Sequence, residues 1–228
     1  MSTWVVTGTD TDVGKSVVTA ALAAAIRQER GAVRALKPVA SGVEAGTFGE
    51  DAERIAAGAG HEPLVWATFQ APVSPHRAQA LEDRRLDPAA LYRWLDVHRA
   101  QHTLVEAAGG WRVPLLAHPG GFIEAVALTR HLDADVIVVA ADRLGVLSHT
   151  RLTVEAIRAD GCRVTGVVLN RRPGVGSDAS QASNLEDLQL LLDVPVVVFP
   201  TLDPADPEAL LSAGQAVLSA LPMRILRA

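Results

Sequence analysis

Short apolar runs alternate with longer, helix-like stretches along most of the chain. Residues 4–7 (Trp-Val-Val-Thr) form an apolar run that stops at Gly8, and residues 33–39 form another, with Lys37-Pro38 at its end. Between them, residues 17–30 are rich in Ala, long enough for about four helical turns, and closed by Gly31 as a C-cap. Residues 103–106 form a third strand, running into Ala107-Ala108-Gly109-Gly110. Residues 136–140 are almost purely Val, Ile and Ala, the composition of a strand buried on both faces of a parallel sheet. A helix over 147–160 ends at Gly161 and a buried strand follows over 164–170. Ser183 with Glu186 three residues on gives a capping-box pattern for a helix over 183–192. A strand over 194–199 and a helix over 207–221, with Pro207 at its start, complete the pattern.

This alternation predicts an α/β fold of three layers, a mostly parallel sheet with helices on both faces. The loop-like stretches at 41–49 and 173–180 are flanked by strands of the same buried type, so the expectation is one domain over 1–228. At 228 residues and 49% apolar side chains the chain can bury roughly 70% of the surface its unfolded form exposes. Aromatics are only 4%, so Ala, Val, Leu and Ile must build the core.

A net charge of -5 argues against a broad basic face for nucleic acid. The single Cys162 excludes an internal disulfide or a Cys-based zinc site, and is read as a buried inert thiol. Residues 1–8 show no basic leader, and no apolar run approaches the ~18 residues of a membrane span. The expectation is a soluble, cytoplasmic protein that contacts neither nucleic acid nor membrane.

The sharpest local signal is Gly8-Thr9-Asp10-Thr11-Asp12-Val13-Gly14-Lys15-Ser16, placed between a strand and a helix. Backbone N–H groups of such a turn and the positive end of a helix dipole attract phosphate oxygens. A lysine then reaches the β- and γ-phosphates, and the adjacent hydroxyl can ligate Mg²⁺. Five residues separate Gly8 from Gly14-Lys15 where the usual spacing is four, but the strand–loop–helix context identifies a P-loop NTPase-type fold. Glu106 ends a buried strand and is a candidate Mg²⁺ ligand. Asp51 taken alone reads as a helix N-cap, Lys37 as a strand-end lysine facing the ligand crevice, and Ser41 as an ordinary loop residue.

Together these segments resemble the dethiobiotin synthetase family. The resemblance is carried by Gly8–Ser16, Lys37-Pro38-Val39-Ala40-Ser41-Gly42, Ser74-Pro75-His76, Leu104-Val105-Glu106-Ala107-Ala108-Gly109-Gly110 and Arg143-Leu144-Gly145-Val146-Leu147-Ser148-His149. Asn170, at the end of a late strand, adds to it. The resemblance implies an ATP-dependent ligase of biotin biosynthesis. It would join CO2 to 7,8-diaminopelargonate, phosphorylate the carbamate and close a cyclic urea. It implies that Asp12, Val13, Gly14, Lys15, Ser16 and Val17 wrap the ATP phosphates, with Lys15 on the γ-phosphate. Ser16, Asp51 and Glu106 would hold Mg²⁺, and Ala107, Ala108 and Gly109 would let the ligand approach the backbone. Lys37 would lie against the carbamate and γ-phosphate, and Thr11 and Ser41 at the diamine. Asn170, with Arg171, Pro200, Thr201 and Leu202, would hold adenine. The family's homodimer would bring Leu144, Gly145 and Ser148 to the substrate's carboxylate tail across the subunit boundary.

Four departures stand out. Ala107 replaces a family glycine, Ser148 stands where Asn is common, and Arg171 stands where an acid follows the asparagine. The strand after Pro195 is one residue short and lacks its glycine. Outside the matched segments, Arg84-Arg85 beside Glu82-Asp83 reads as a solvated turn, and the histidines, including His76 and His149, as packing residues. The tryptophans belong to the core or a dimer face, with Trp111 placed to line a substrate channel. Two rival readings stay open. An ATP-dependent amidoligase would need a glutaminase domain, for which the chain has no room. A ParA-like dimerising ATPase would carry a second lysine where Thr9 and Asp10 stand, and a longer basic or amphipathic tail than residues 223–228.

Overall fold

The computed structural model describes residues 1–171 and 179–223. Most of the loop at 173–180, and all of the tail beyond Met223, lie outside the described residues. Nine strands are found among them: β1 (Ser2–Gly8), β2 (Val33–Ser41), β3 (Val65–Phe69), β4 (His102–Gly110), β5 (Leu116–His118), β6 (Gly121–Ile123), β7 (Asp135–Ala141), β8 (Arg163–Asn170) and β9 (Val196–Phe199). The helices are α1 (Lys15–Arg30), α2 (Glu50–Ala59), α3 (Pro75–Leu81), α4 (Pro88–His98), α5 (Ala125–Leu132), α6 (Val146–Ala159), α7 (Asn184–Leu191) and α8 (Pro207–Ala220), with a 3-10 turn at Ala179–Ala182.

Seven strands form one parallel sheet in the order β3-β2-β4-β1-β7-β8-β9, and β5 and β6 make a separate antiparallel hairpin. Side-chain alternation divides the core between the two faces. Trp4, Val6, Leu104, Ile137 and Val139 pack with Leu22 and Ile26 of α1 and Val217 of α8. Val5, Val105, Val136 and Val138 pack with Leu91, Leu95, Leu128 and Ile157 of α4, α5 and α6. Central β1 is buried along its whole length, as its unbroken apolar run requires.

The alanines of α1 let α8 approach closely. A Cβ at Gly214 would lie 2.0 Å from Ala21 O, a backbone atom that cannot swing aside. Gly214→Ala is therefore expected to lower unfolding stability by about 1–3 kcal/mol, measurable in urea as a reduced midpoint at unchanged m-value.

Several elements differ from the sequence pattern. Helix α1 begins at Lys15, two residues early, because Gly14 turns into the left-handed region (φ 88°) and launches it. The capping box at Ser183 does not form: Ser183 has helical dihedrals continuing the 3-10 turn, and its side chain makes no cap. Strand β9 starts at Val196, not 194. Half-exposed β3, helices α3, α4 and α5 and the hairpin were not read from the sequence. Glu82 and Arg84 are not merely solvated: Glu82 accepts from the N–H groups of Gln70 and Ala71, and Arg84 donates to Thr68 O while covering the Phe69 ring at 4.6 Å. Cys162 is buried, and burial pushes its thiol pKa up. Among the described residues, no helix is long and apolar enough to cross a membrane.

Candidate functional site

A cavity of about 670 Å³ opens at the carboxyl ends of the strands, where the chain order reverses around β1. Its floor is the loop between β1 and α1. Gly14 requires its glycine twice over: φ is 88°, and a Cβ there would lie 2.0 Å from Asn170 Nδ2. That amide donates to Val13 O at 2.9 Å, so β8 braces the loop from behind. Lys15 is buried to 6% exposure and its Nζ reaches Asp10 O at 3.4 Å.

Sheet register assembles the charged centre. Leu36 pairs with Val105 and Val6 with Glu106, so Lys37 and Glu106 emerge side by side above the loop. Lys37 Nζ donates to Glu106 Oε1 at 2.5 Å and to Asp51 Oδ2 at 3.3 Å, and Ser16 Oγ donates to Glu106 Oε1 at 2.8 Å. Glu106 is fully buried, and its Oε2 has no hydrogen-bond partner among the described residues. Asp51 enters from the first turn of α2, on the open side of the cavity.

Burial pushes the pKa of Lys37 down, but Glu106 and Asp51 outweigh it and hold the ammonium above its ordinary 10.5. Lys15 shows the reverse balance: burial lowers its pKa, and Glu106 offsets this only in part while Lys37 adds to it. For Asp51 burial acts upward, yet Lys37, Ser16 and Lys15 together bring the carboxyl below its ordinary 3.8. The stabilisation from Asp51 is therefore present above pH 3.8 and lost as pH falls through the lower folded value. Asp51→Asn should flatten that acid limb of the stability curve, read by denaturant titrations between neutral and acid pH.

Of the residues singled out from sequence, Thr11, Asp12, Gly14, Lys15, Ser16 and Val17 line the cavity on the loop side. Lys37, Ser41, Asp51, Glu106, Ala108 and Gly109 line its middle, and Asn170, Arg171, Pro200 and Leu202 its far end. Six others do not line it. Val13 and Ala107 turn into the core, and exposed Thr201 donates its Oγ1 to Arg171 O at 3.0 Å. Ala107 lies in regular β4 without a positive φ, so it replaces a glycine without strain; the left-handed residue is Gly109 (φ 66°). Leu144, Gly145 and Ser148 sit on the exposed entry to α6, outside the cavity.

Trp111 does not line the cavity either. It is buried and donates its Nε1 to Asp160 Oδ2 at 2.7 Å. His76 packs edge-on against Phe122 at 5.5 Å, and His149 is exposed. The lining residues that escaped the sequence reading include Val43, Phe48, Arg54 and Pro204. Arg54 stands one helical turn after Asp51 on α2 and is paired with Glu50, so its spacing was the available signal.

The arrangement pairs a phosphate-binding loop with a buried lysine, a hydroxyl and two carboxylates, a constellation suited to phosphoryl transfer. The family described as an AAA domain matches residues 2–208. The chain is 38% identical over 214 residues to the ATP-dependent dethiobiotin synthetase BioD of Aromatoleum aromaticum, covering 90% of this chain and 92% of that one. It is 41% identical over 201 residues to the protein of the same name from Rhodococcus jostii, covering 86% and 85% respectively. A ParA family ATPase from Chlorobium tepidum shares the fold, with a TM-score of 0.53 over 99% of this chain and 93% of that one, at 14% identity. By sequence over most of its length, the chain belongs to the dethiobiotin synthetase family.

Proposed function

We propose that this protein uses ATP to carboxylate 7,8-diaminopelargonate and close the product into a cyclic urea. The observation that carries the reading most is Lys37, a buried ammonium 2.5 Å from Glu106 at the mouth of the phosphate loop. In this reading a carbamate formed from CO2 and one amine attacks the γ-phosphorus, breaks its bond to the β-phosphate oxygen and releases ADP, leaving a carbamic–phosphoric anhydride. The second amine then attacks the carbamoyl carbon and expels phosphate. Charge builds on the oxygens between carbamate and γ-phosphate, where Lys37 and Lys15 are held. Thr11 and Ser41 orient the diamine. Each amine sheds one proton as its C–N bond forms, and solvent or a phosphate oxygen takes it without a dedicated side-chain base.

Ser16, Asp51 and Glu106 fit a Mg²⁺ site. Glu106 Oε2 is a buried acceptor in want of a cation or donor, and two carboxylates with a hydroxyl leave room for the phosphate and water oxygens that Mg²⁺ favours. Bound there, Mg²⁺ would neutralise phosphate charge as the γ-group is transferred. Asn170 and Arg171 would face adenine, and the exposed Leu144 and Leu152 on the α6 flank suit a second copy of the chain, as the substrate-tail role of Leu144, Gly145 and Ser148 requires. One seven-stranded sheet served by helices on both faces supports reading the chain as one domain, and dependence on ATP suits a cytoplasmic setting.

Purified protein given ATP, Mg²⁺, bicarbonate and the diamine should release ADP in step with cyclic urea. ADP release that does not depend on the diamine, from folded protein, would overturn the reading.

A further inference from the structure

Four cationic side chains line the cavity among the described residues: Lys15, Lys37, Arg54 and Arg171. Three of them are held by the body of the fold. Lys37 is bound to buried Glu106, and Lys15 is sunk in the phosphate loop against Asp10 O. Arg171 Nε donates to Oδ2 of Asp142, a wholly buried carboxylate that also accepts from Asn184 Nδ2 at 2.8 Å. Arg54 is different. Its partner among the described residues is Glu50, one turn earlier on α2, whose side chain is 84% exposed. The Arg54 side chain is itself only 21% exposed, so it lies along the cavity wall while its anchor stands in solvent. An exposed pair of this spacing holds weakly and yields to a better anion.

The packing of α2 on α1 sets where that guanidinium can reach. Both helices start at the cavity and run down the same face of the sheet. Asp51, in the first turn of α2, sits beside Ser16 in the first turn of α1. Two turns further on, α2 presses on the backbone of α1: a Cβ at Gly58 would lie 2.3 Å from Ala20 O. Arg54 falls between these two contacts, level with the turn that carries Val17, another lining residue. The N–H groups of that turn have no partner within the helix and draw phosphate oxygens to it. A guanidinium beside them offers parallel N–H donors in the fork that matches a phosphate group.

We propose that Arg54 leaves Glu50 and binds the phosphate chain of the nucleotide from the α2 side, as a phosphate ligand additional to the loop and Lys15. The inference rests on the proposed reading only in that the cavity takes a nucleotide. Calorimetric titration of ADP and of inorganic tripolyphosphate into the full chain, Arg54→Gln, Glu50→Gln and the double variant tests it. Arg54→Gln should weaken both ligands about five- to tenfold. The loss should persist once Glu50 is neutral: on the Glu50→Gln background, adding Arg54→Gln should still weaken both ligands by more than about threefold. A smaller loss on that background would mean that Arg54 only masks the charge of Glu50 at the rim, and would overturn the inference. A loss confined to ADP would overturn it too, by placing Arg54 on the nucleoside and not on the phosphates. None of these titrations contains the diamine, so a protein inert toward the diamine would defeat the proposed reaction and leave this test intact.

Discussion

Lys37→Gln is expected to lower kcat about 10²–10³-fold while the KM for ATP changes by less than about threefold. The asymmetry follows from where the ammonium sits. In the free protein it is bound to Glu106 and Asp51, above the phosphate loop and not within it. In the proposed mechanism nucleotide affinity comes chiefly from the loop's backbone and Lys15, whereas the oxygens that gain charge during transfer would lie between the substrate and the γ-phosphate. The glutamine is one atom shorter but retains an N–H donor for Glu106, so the buried carboxylate is not left bare. Steady-state rates at varied ATP, together with a melting curve to establish folding, check this. Equal losses in kcat and in ATP affinity would mean that Lys37 is part of the nucleotide cradle.

Lys15→Met should abolish most activity, by about 10³-fold or more, and yet make the ligand-free protein more stable, raising Tm by about 2–4 °C. Burial dominates around Lys15 and lowers its pKa, so folding disfavours the charged form. That cost is present at neutral pH and disappears as pH rises from the folded pKa toward 10.5, a window in which stability grows with pH. Lys37 has the opposite sign: its contribution is complete below 10.5 and is lost only as pH rises through its higher folded value. The wild type should also gain Tm on adding ADP with Mg²⁺, and Lys15→Met should lose that gain. A variant that melts lower than the wild type without ligand would contradict the account of Lys15.

The site centre was legible in the sequence because parallel strands deliver their ends to one edge. A glycine-rich loop after β1 and the parallel runs that carry Lys37 and Glu106 converge there. Both residues nevertheless lie within β2 and β4, not at the strand ends that the sequence pattern predicts, because each strand continues for four more residues. Asp51 was ambiguous from sequence alone, since an acid in a first helical turn has a local use; its contact with Lys37 depends on how α2 packs. Long-range pairs were illegible for the same reason. Nothing near Asp142 in the chain announces Arg171 or Asn184, and the Ser183 signal misled because the preceding 3-10 turn had already set that residue's dihedrals. Half-exposed β3 and the hairpin carry too few alternating apolar positions to stand out. Leu144, Gly145 and Ser148 were assigned through a subunit boundary, and in the single chain they face outward.

The central claim is that a carbamate oxygen takes the γ-phosphoryl group beside Lys37. Bicarbonate labelled with ¹⁸O tests it most directly, in a single turnover run faster than exchange of the label with water. If the account holds, the inorganic phosphate released with the cyclic urea carries one ¹⁸O atom, because the carbamate oxygen that attacks phosphorus leaves with it. Phosphate free of the label, with cyclic urea still formed, would show that ATP is cleaved by water or that another group is phosphorylated, and would contradict the account.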